Sequence, residues 1–148
     1  MEEENWEIKN YNITKKKWGE IGKLKTEGDK YDWIFGSFRE NKSLAKNEVF
    51  ELKYRNFKKG DECKHDPKFQ ISATEYNFIL KGKIKGRVGD TKDIVLEGGD
   101  YIIIQPGEIV NLQQEIIEDV EGITIKVPSR HGDTIKKSLI EKLLNFEK

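Results

Sequence analysis

The sequence predicts an all-β domain, a small barrel or sandwich, with a single helix appended at its C-terminal end. Three observations predict it. Short stretches of alternating polar and apolar residues recur through the middle of the chain. Glycine-bearing turns separate them, at Gly60, Gly82, Gly86, Gly89, Gly98–Gly99 and Gly107. The period changes only between Asp133 and Lys148, where Ile135, Leu139, Ile140, Leu143 and Leu144 fall on one side of a helix.

Taken in order, residues 1–30 form an N-terminal extension. Trp6, Ile8, Tyr11, Ile13 and Trp18 need burial, so the extension is expected to pack on the main body. Residues 31–39 read as a strand in which Gly36 marks a bulge or a close backbone approach. Residues 40–48 are a polar connection. Residues 49–57 alternate, with Phe50, Leu52 and Tyr54 on one face and Glu51, Lys53 and Arg55 on the other, the pattern of a half-buried antiparallel strand. Gly60 follows in a turn that calls for positive φ.

The stretch from Cys63 to Gly82 organises the rest. Tyr76, Phe78 and Leu80 point one way, and Glu75, Asn77 and Ile79 the other. An acid and an amide beside an isoleucine suit the wall of a cavity. They suit equally an edge strand whose polar face meets water. Gly89–Asp90 reads as a hairpin tip with Ile94–Leu96 as the return arm. Tyr101–Ile104 is apolar on both faces and is expected as a buried central strand. Residues 109–113 and 122–127 are two further strands, the last stopped by Pro128. Asp133 is the expected N-cap of a helix over 133–148. The apolar stripe of that helix is expected to meet the barrel or a second copy.

At 148 residues the chain suits one domain with its own core. Lys plus Arg number 27 and so do Asp plus Glu, which gives no long-range field for a nucleic-acid polymer or an anionic membrane. No apolar run has the length of a membrane span. The opening MEEENWEIKN lacks the layout of a signal peptide, and Cys63 is the only cysteine, so a cytoplasmic location is expected. Cys63 is read as an ordinary thiol rather than a nucleophile.

GDECKHDPKFQISATEYNFILKG (60–82), followed by GGDYIIIQPGEIVNL (98–112), resembles the two-motif core of a cupin. The separation of Glu75 and Gly82 is that of the first cupin motif. Gly99, Asp100, the apolar strand and Pro106–Gly107 match the second. WIFGSF (33–38), FELKY (50–54) and IKVPSRHGD (125–133) are similar to segments of small single-domain cupins. The resemblance implies a double-stranded β-helix, or jelly-roll, barrel over 31–132. The extension 1–30 and the helix 133–148 are added to it.

The resemblance also implies a metal site of three histidines and a glutamate, and here the sequence departs. Lys68 and Gln70 stand where the first two histidines are expected and Val110, beside Asn111, where the third is; Glu75 alone remains. A protonated lysine has no lone pair for a metal, and valine offers no donor. His65 lies in the preceding loop, and His131 near the tail, away from the motifs. No metal and no cofactor are therefore expected. Glu75 needs a cationic partner when buried, and Lys68 or Lys126 can supply it. Gln70, Asn77 and Asn111 can donate and accept, and Phe50 and Tyr54 can form an aromatic wall. The expected ligand residues are thus Tyr54, Lys68, Gln70, Glu75, Asn77, Asn111 and Lys126. The expected function is metal-free binding of a small polar or anionic molecule, such as a sugar, nucleotide or nucleotide-sugar. The alternatives are a metal-independent sugar isomerase or epimerase, and a dimeric interaction module whose pocket is vestigial. A homodimer stays open in each.

Overall fold

The computed structural model describes residues 19–20, 22–24, 31–61, 67–89 and 93–146. Trp6, Ile8, Tyr11, Ile13 and Trp18 of the extension, and Cys63, His65 and Asp90, lie outside the described residues. Among the described residues, eight strands and one helix follow in order: β1 (Tyr31–Phe35), β2 (Glu51–Phe57), β3 (Lys68–Gln70), β4 (Thr74–Val88), β5 (Ile94–Glu97), β6 (Tyr101–Ile104), β7 (Val110–Val127), β8 (Thr134–Lys136) and α1 (Lys137–Phe146).

The spine is the antiparallel pair β4 and β7, in register from Thr74↔Val127 to Val88↔Val110 with irregularities between Ile79 and Arg87. These let two long strands bend, so the sheet curls on itself. The bend brings their backbones too close for side chains at two points. A Cβ on Gly82, whose φ is +88°, would lie 1.9 Å from the Asp119 carbonyl oxygen, and one on Gly86 would lie 2.5 Å from Leu112 Cα. β2 pairs with the other edge of β7, and β1 with β2. β3 bridges β7 and β8, while β5 and β6 pair with β4.

One end of the interior is apolar. Phe57, Ile79, Ile84, Ile116 and Val120 form one buried cluster, and Ile104, Val110 and Leu112 another. Three expectations are corrected. Residues 109–113 and 122–127 belong to one strand, because the polar run between them keeps a period that buries Ile116 and Val120. Tyr101–Ile104 is not buried on both faces. β6 pairs with β4 alone, so Tyr101 is 66% and Ile103 47% exposed while Ile104 is buried. The helix begins at Lys137, since residues 134–136 pair with β3 as a strand and Asp133 binds elsewhere. Leu139, Leu143 and Leu144 on α1 remain exposed. Glu20, within the N-terminal extension, accepts from Ser43 Oγ at 2.8 Å and Leu44 N at 2.9 Å.

Candidate functional site

Alternation on β2, β4 and β7 aims the same side chains inward row by row. Lys53, Thr124 and Asn77 are paired across the three strands, and Lys126 pairs with Glu75. All five are buried, as is Arg55. β4 is flanked by β6 and β7 at this level, so Glu75 and Asn77 lie buried in the barrel interior and not at a water-facing edge. Lys68 and Gln70 share the inward side of β3, and Gln70 is 2% exposed.

Two hydrogen-bond chains order these groups. Arg55 Nε donates to Thr124 Oγ1 at 2.7 Å, Thr124 Oγ1 to Asn77 Oδ1 at 2.7 Å, and Asn77 Nδ2 to Glu75 Oε1 at 3.0 Å. Arg55 Nη2 also lies 3.8 Å from Glu75 Oε1. In the second chain Lys126 Nζ donates to Thr134 Oγ1 at 3.4 Å, which donates to Gln70 Oε1 at 2.8 Å. Each chain ends on an atom with no protein partner: Glu75 Oε2, an acceptor, and Gln70 Nε2, a donor. Such buried orphans cost about 1–3 kcal/mol each unless something meets them.

The electrostatics are lopsided. Lys53, Arg55, Lys68 and Lys126 converge on Glu75. Glu51 stands further out and accepts from Ser129 Oγ at 3.0 Å. Asp133 is buried but engaged, accepting from the Ser72 and Ala73 N–H groups at 3.0 Å. It thereby fixes the turn between Gln70 and Glu75. Burial, then the charges of Arg55, Lys68 and Lys126, push the Lys53 amine well below the usual lysine range. Burial and then Lys126 push Lys68 down to about 8. Burial would raise the Glu75 carboxyl, but Arg55, the Asn77 hydrogen bond, Lys126 and Lys68 outweigh it and hold it low. Lys53 Nζ and Lys126 Nζ each sit 4.8 Å from the Trp33 ring centre. Beside them is a cavity of about 270 Å³, whose lining includes Trp33, Phe38, Glu51, Lys126, His131 and Thr134.

No family model and no curated protein matches the sequence. Solved structures do match in shape. An RmlC-like cupin with a double-stranded β-helix fold from Methanocaldococcus jannaschii superposes with a TM-score of 0.56 at 13% identity, over 77% of this chain and 94% of that one. An uncharacterized conserved protein with a double-stranded β-helix domain from Klebsiella pneumoniae gives 0.53 at 14%, over 61% and 76%. The DMSP lyase DddQ from Ruegeria pomeroyi gives 0.56 at 12%, over 72% and 50%. The fold is the cupin double-stranded β-helix.

Among the described residues of this barrel the donor set does not suit a divalent metal. Val110 lies in an apolar cluster and pairs with Lys68, while Glu75 is ringed by cations that would repel a second positive charge. Among the described residues no group of three or more His, Cys, Asp or Glu side chains is placed to hold an ion. The cupin interior brings together Lys68, Gln70, Glu75, Asn77 and Lys126. It leaves two expected residues outside. Tyr54 is on the opposite face of β2 from Lys53 and Arg55, and its hydroxyl donates to Glu121 Oε1, which with burial raises it to about 12. Asn111 alternates with the inward Val110 and Leu112, and its Oδ1 accepts from Gln113 N at 3.3 Å.

Sequence reasoning missed Lys53, Arg55, Thr124, Thr134 and Trp33, and it placed His131 too far away. The signal for the first two was Phe57, which shares their phase on β2 and anchors that face in the core. His131 reaches the cavity because β8 returns to pair with β3.

Proposed function

We propose that this barrel binds a small anionic, hydroxyl-bearing molecule without a metal. The observation that carries the reading is the convergence of Arg55, Lys68 and Lys126 on one buried carboxylate. Burying several like charges together is costly, and a bound anion offsets part of that cost. The orphan atoms add detail. Gln70 Nε2 asks the ligand for an acceptor and Glu75 Oε2 asks it for a donor. A sugar phosphate or a hydroxy acid brings both together with the charge. The adjoining cavity, about 270 Å³, is near the lower end of ligand sites, which favours such compounds over a nucleotide-sugar.

The test is metal analysis of the purified protein beside a thermal-shift panel of sugar phosphates, hydroxy acids and nucleotides. A ligand that binds only the folded state raises the midpoint in proportion to the logarithm of its concentration. The expected result is no stoichiometric metal and a shift for the small anions. Stoichiometric metal, or a panel with no shift, would contradict the reading. The homodimer alternative draws on the exposed Leu139, Leu143 and Leu144. Sedimentation of the wild type and of Leu143→Asp separates it from the pocket: only a dimer built on that stripe dissociates in the variant.

A further inference from the structure

The geometry points to Lys68 as an amine nucleophile that forms an imine with a carbonyl compound carrying an anionic group, such as a 2-oxo acid or the open-chain form of a sugar phosphate. This rests on the anion-binding reading and adds a covalent step to it.

Four features of the site support the step. Lys68 shares the inward side of β3 with the fully buried Gln70, which puts its amine within the barrel. It is itself only half-buried, whereas Lys53 is buried under Trp33. The charges that face it come from every neighbouring strand: Lys53 and Arg55 on β2, Glu75 on β4, Lys126 on β7 and Lys136 on β8. Four cations beside one carboxylate disfavour an added proton on the amine, and lysines become nucleophilic in just such desolvated, cation-rich surroundings. The shift of Lys68 to about 8 agrees with that placement and leaves about a tenth of the amine free at pH 7.

The other groups supply what the reaction needs. Arg55 and Lys126 offer charge for the ligand's carboxylate or phosphate. Gln70 Nε2, a buried donor with no protein partner, is available to the carbonyl oxygen. Glu75 Oε2, a buried acceptor with no protein partner, can accept a hydrogen bond from the carbinolamine hydroxyl. The balance closes without an added reagent. The lone pair of Lys68 Nζ attacks the carbonyl carbon, the C=O π pair moves to oxygen, and a proton passes from nitrogen to that oxygen, giving a carbinolamine. Loss of the hydroxyl with the remaining N–H proton, as water, gives the imine. Nothing is oxidised or reduced.

The experiment is reductive trapping. The full chain is incubated with pyruvate, 2-oxoglutarate or ribose 5-phosphate and sodium cyanoborohydride, then analysed by intact mass and peptide mapping, beside a thermal-shift titration with inorganic phosphate. The expected result is one adduct per chain at Lys68 with at least one probe, at a rate that rises with pH around a midpoint near 8. The adduct should be lost in Lys68→Met, retained in the exposed Lys58→Met, and slowed by phosphate. A midpoint near 10.5, an adduct mapping to Lys53 or to many lysines, or equal labelling of Lys68→Met would overturn the proposal. Phosphate stabilisation with no Lys68 adduct would overturn the imine and leave the anion-binding reading standing. No stabilisation and no adduct would remove both. If Lys68→Met fails to fold, Lys68→Arg, which keeps the charge and the stem, gives the same decision.

Discussion

The two ends of the barrel interior are built from the same three strands and have opposite chemistry. On β2 the inward side runs Lys53, Arg55, then Phe57. On β4 it runs Glu75, Asn77, then Ile79, and on β7 it runs Lys126, Thr124, Gly122, then Val120. A step of two residues separates an apolar cluster from a cluster of charges. The apolar end stabilises the fold by burial, at about 25 cal/mol per Å² removed from water. The charged end opposes folding through desolvation and self-repulsion, and it leaves two orphan atoms.

The comparison breaks most directly at its apolar end. Phe57→Ala, which opens the cluster with Ile79, Ile84, Ile116 and Val120, is expected to cost about 3–5 kcal/mol in urea unfolding. A loss below ~1 kcal/mol would show that this cluster is not the stabilising end.

Glu75→Gln attacks the charged end. It removes a buried carboxylate on which Arg55, Lys126 and Lys68 converge and should cost roughly 2–4 kcal/mol at neutral pH. Phosphate should restore part of that loss, which chloride at the same ionic strength should not. Equal recovery by both salts would reduce the effect to general screening.

Thr124→Val cuts the chain from Arg55 to Asn77 and leaves Asn77 Oδ1 without that donor. Urea unfolding should show a loss of about 1–3 kcal/mol, because the site is fully buried. A neutral result would mean that the chain is dispensable for holding Glu75.

The smallest effect has the opposite sign. Lys68 binds its proton less tightly when folded, at about 8 against 10.5. Between those values the unfolded chain carries more protons, so the Lys68 contribution to stability rises with pH from 8 to 10.5. Lys68→Met should therefore stabilise the protein at pH 7 by ~1 kcal/mol and flatten that rise. A variant less stable at pH 7 would show that the lysine is satisfied where it is.

Much of the fold is legible in the sequence, for reasons that particular residues make plain. The alternation at Glu75, Asn77 and Ile79 survives in the structure because period two is fixed by strand geometry. Gly60 does adopt the positive φ that its turn calls for. What periodicity leaves open is which neighbour a strand acquires. Tyr101–Ile104 reads as central, yet it pairs on one side only. Residues 134–136 sit within a helical stripe, yet β3 draws them into the sheet. The site shows the same division. Lys68, Gln70 and Glu75 follow from motif spacing, Asn77 from the alternation of its strand, and Lys126 from the need of a buried Glu75 for a cation. Lys53 and Arg55 stay hidden because charge suggests an outward face, and only the phase of Phe57 says otherwise. Tyr54 and Asn111 are misplaced because composition, unlike register, does not say which face looks in.

The central claim is that the charged end of this interior is an anion site. Calorimetric titration with ribose 5-phosphate at constant ionic strength, on the wild type and on Lys126→Met, tests it most directly. The account predicts saturable one-to-one binding that weakens at least tenfold when the Lys126 charge is removed. Absence of binding to the wild type, or undiminished binding to the variant, would contradict it.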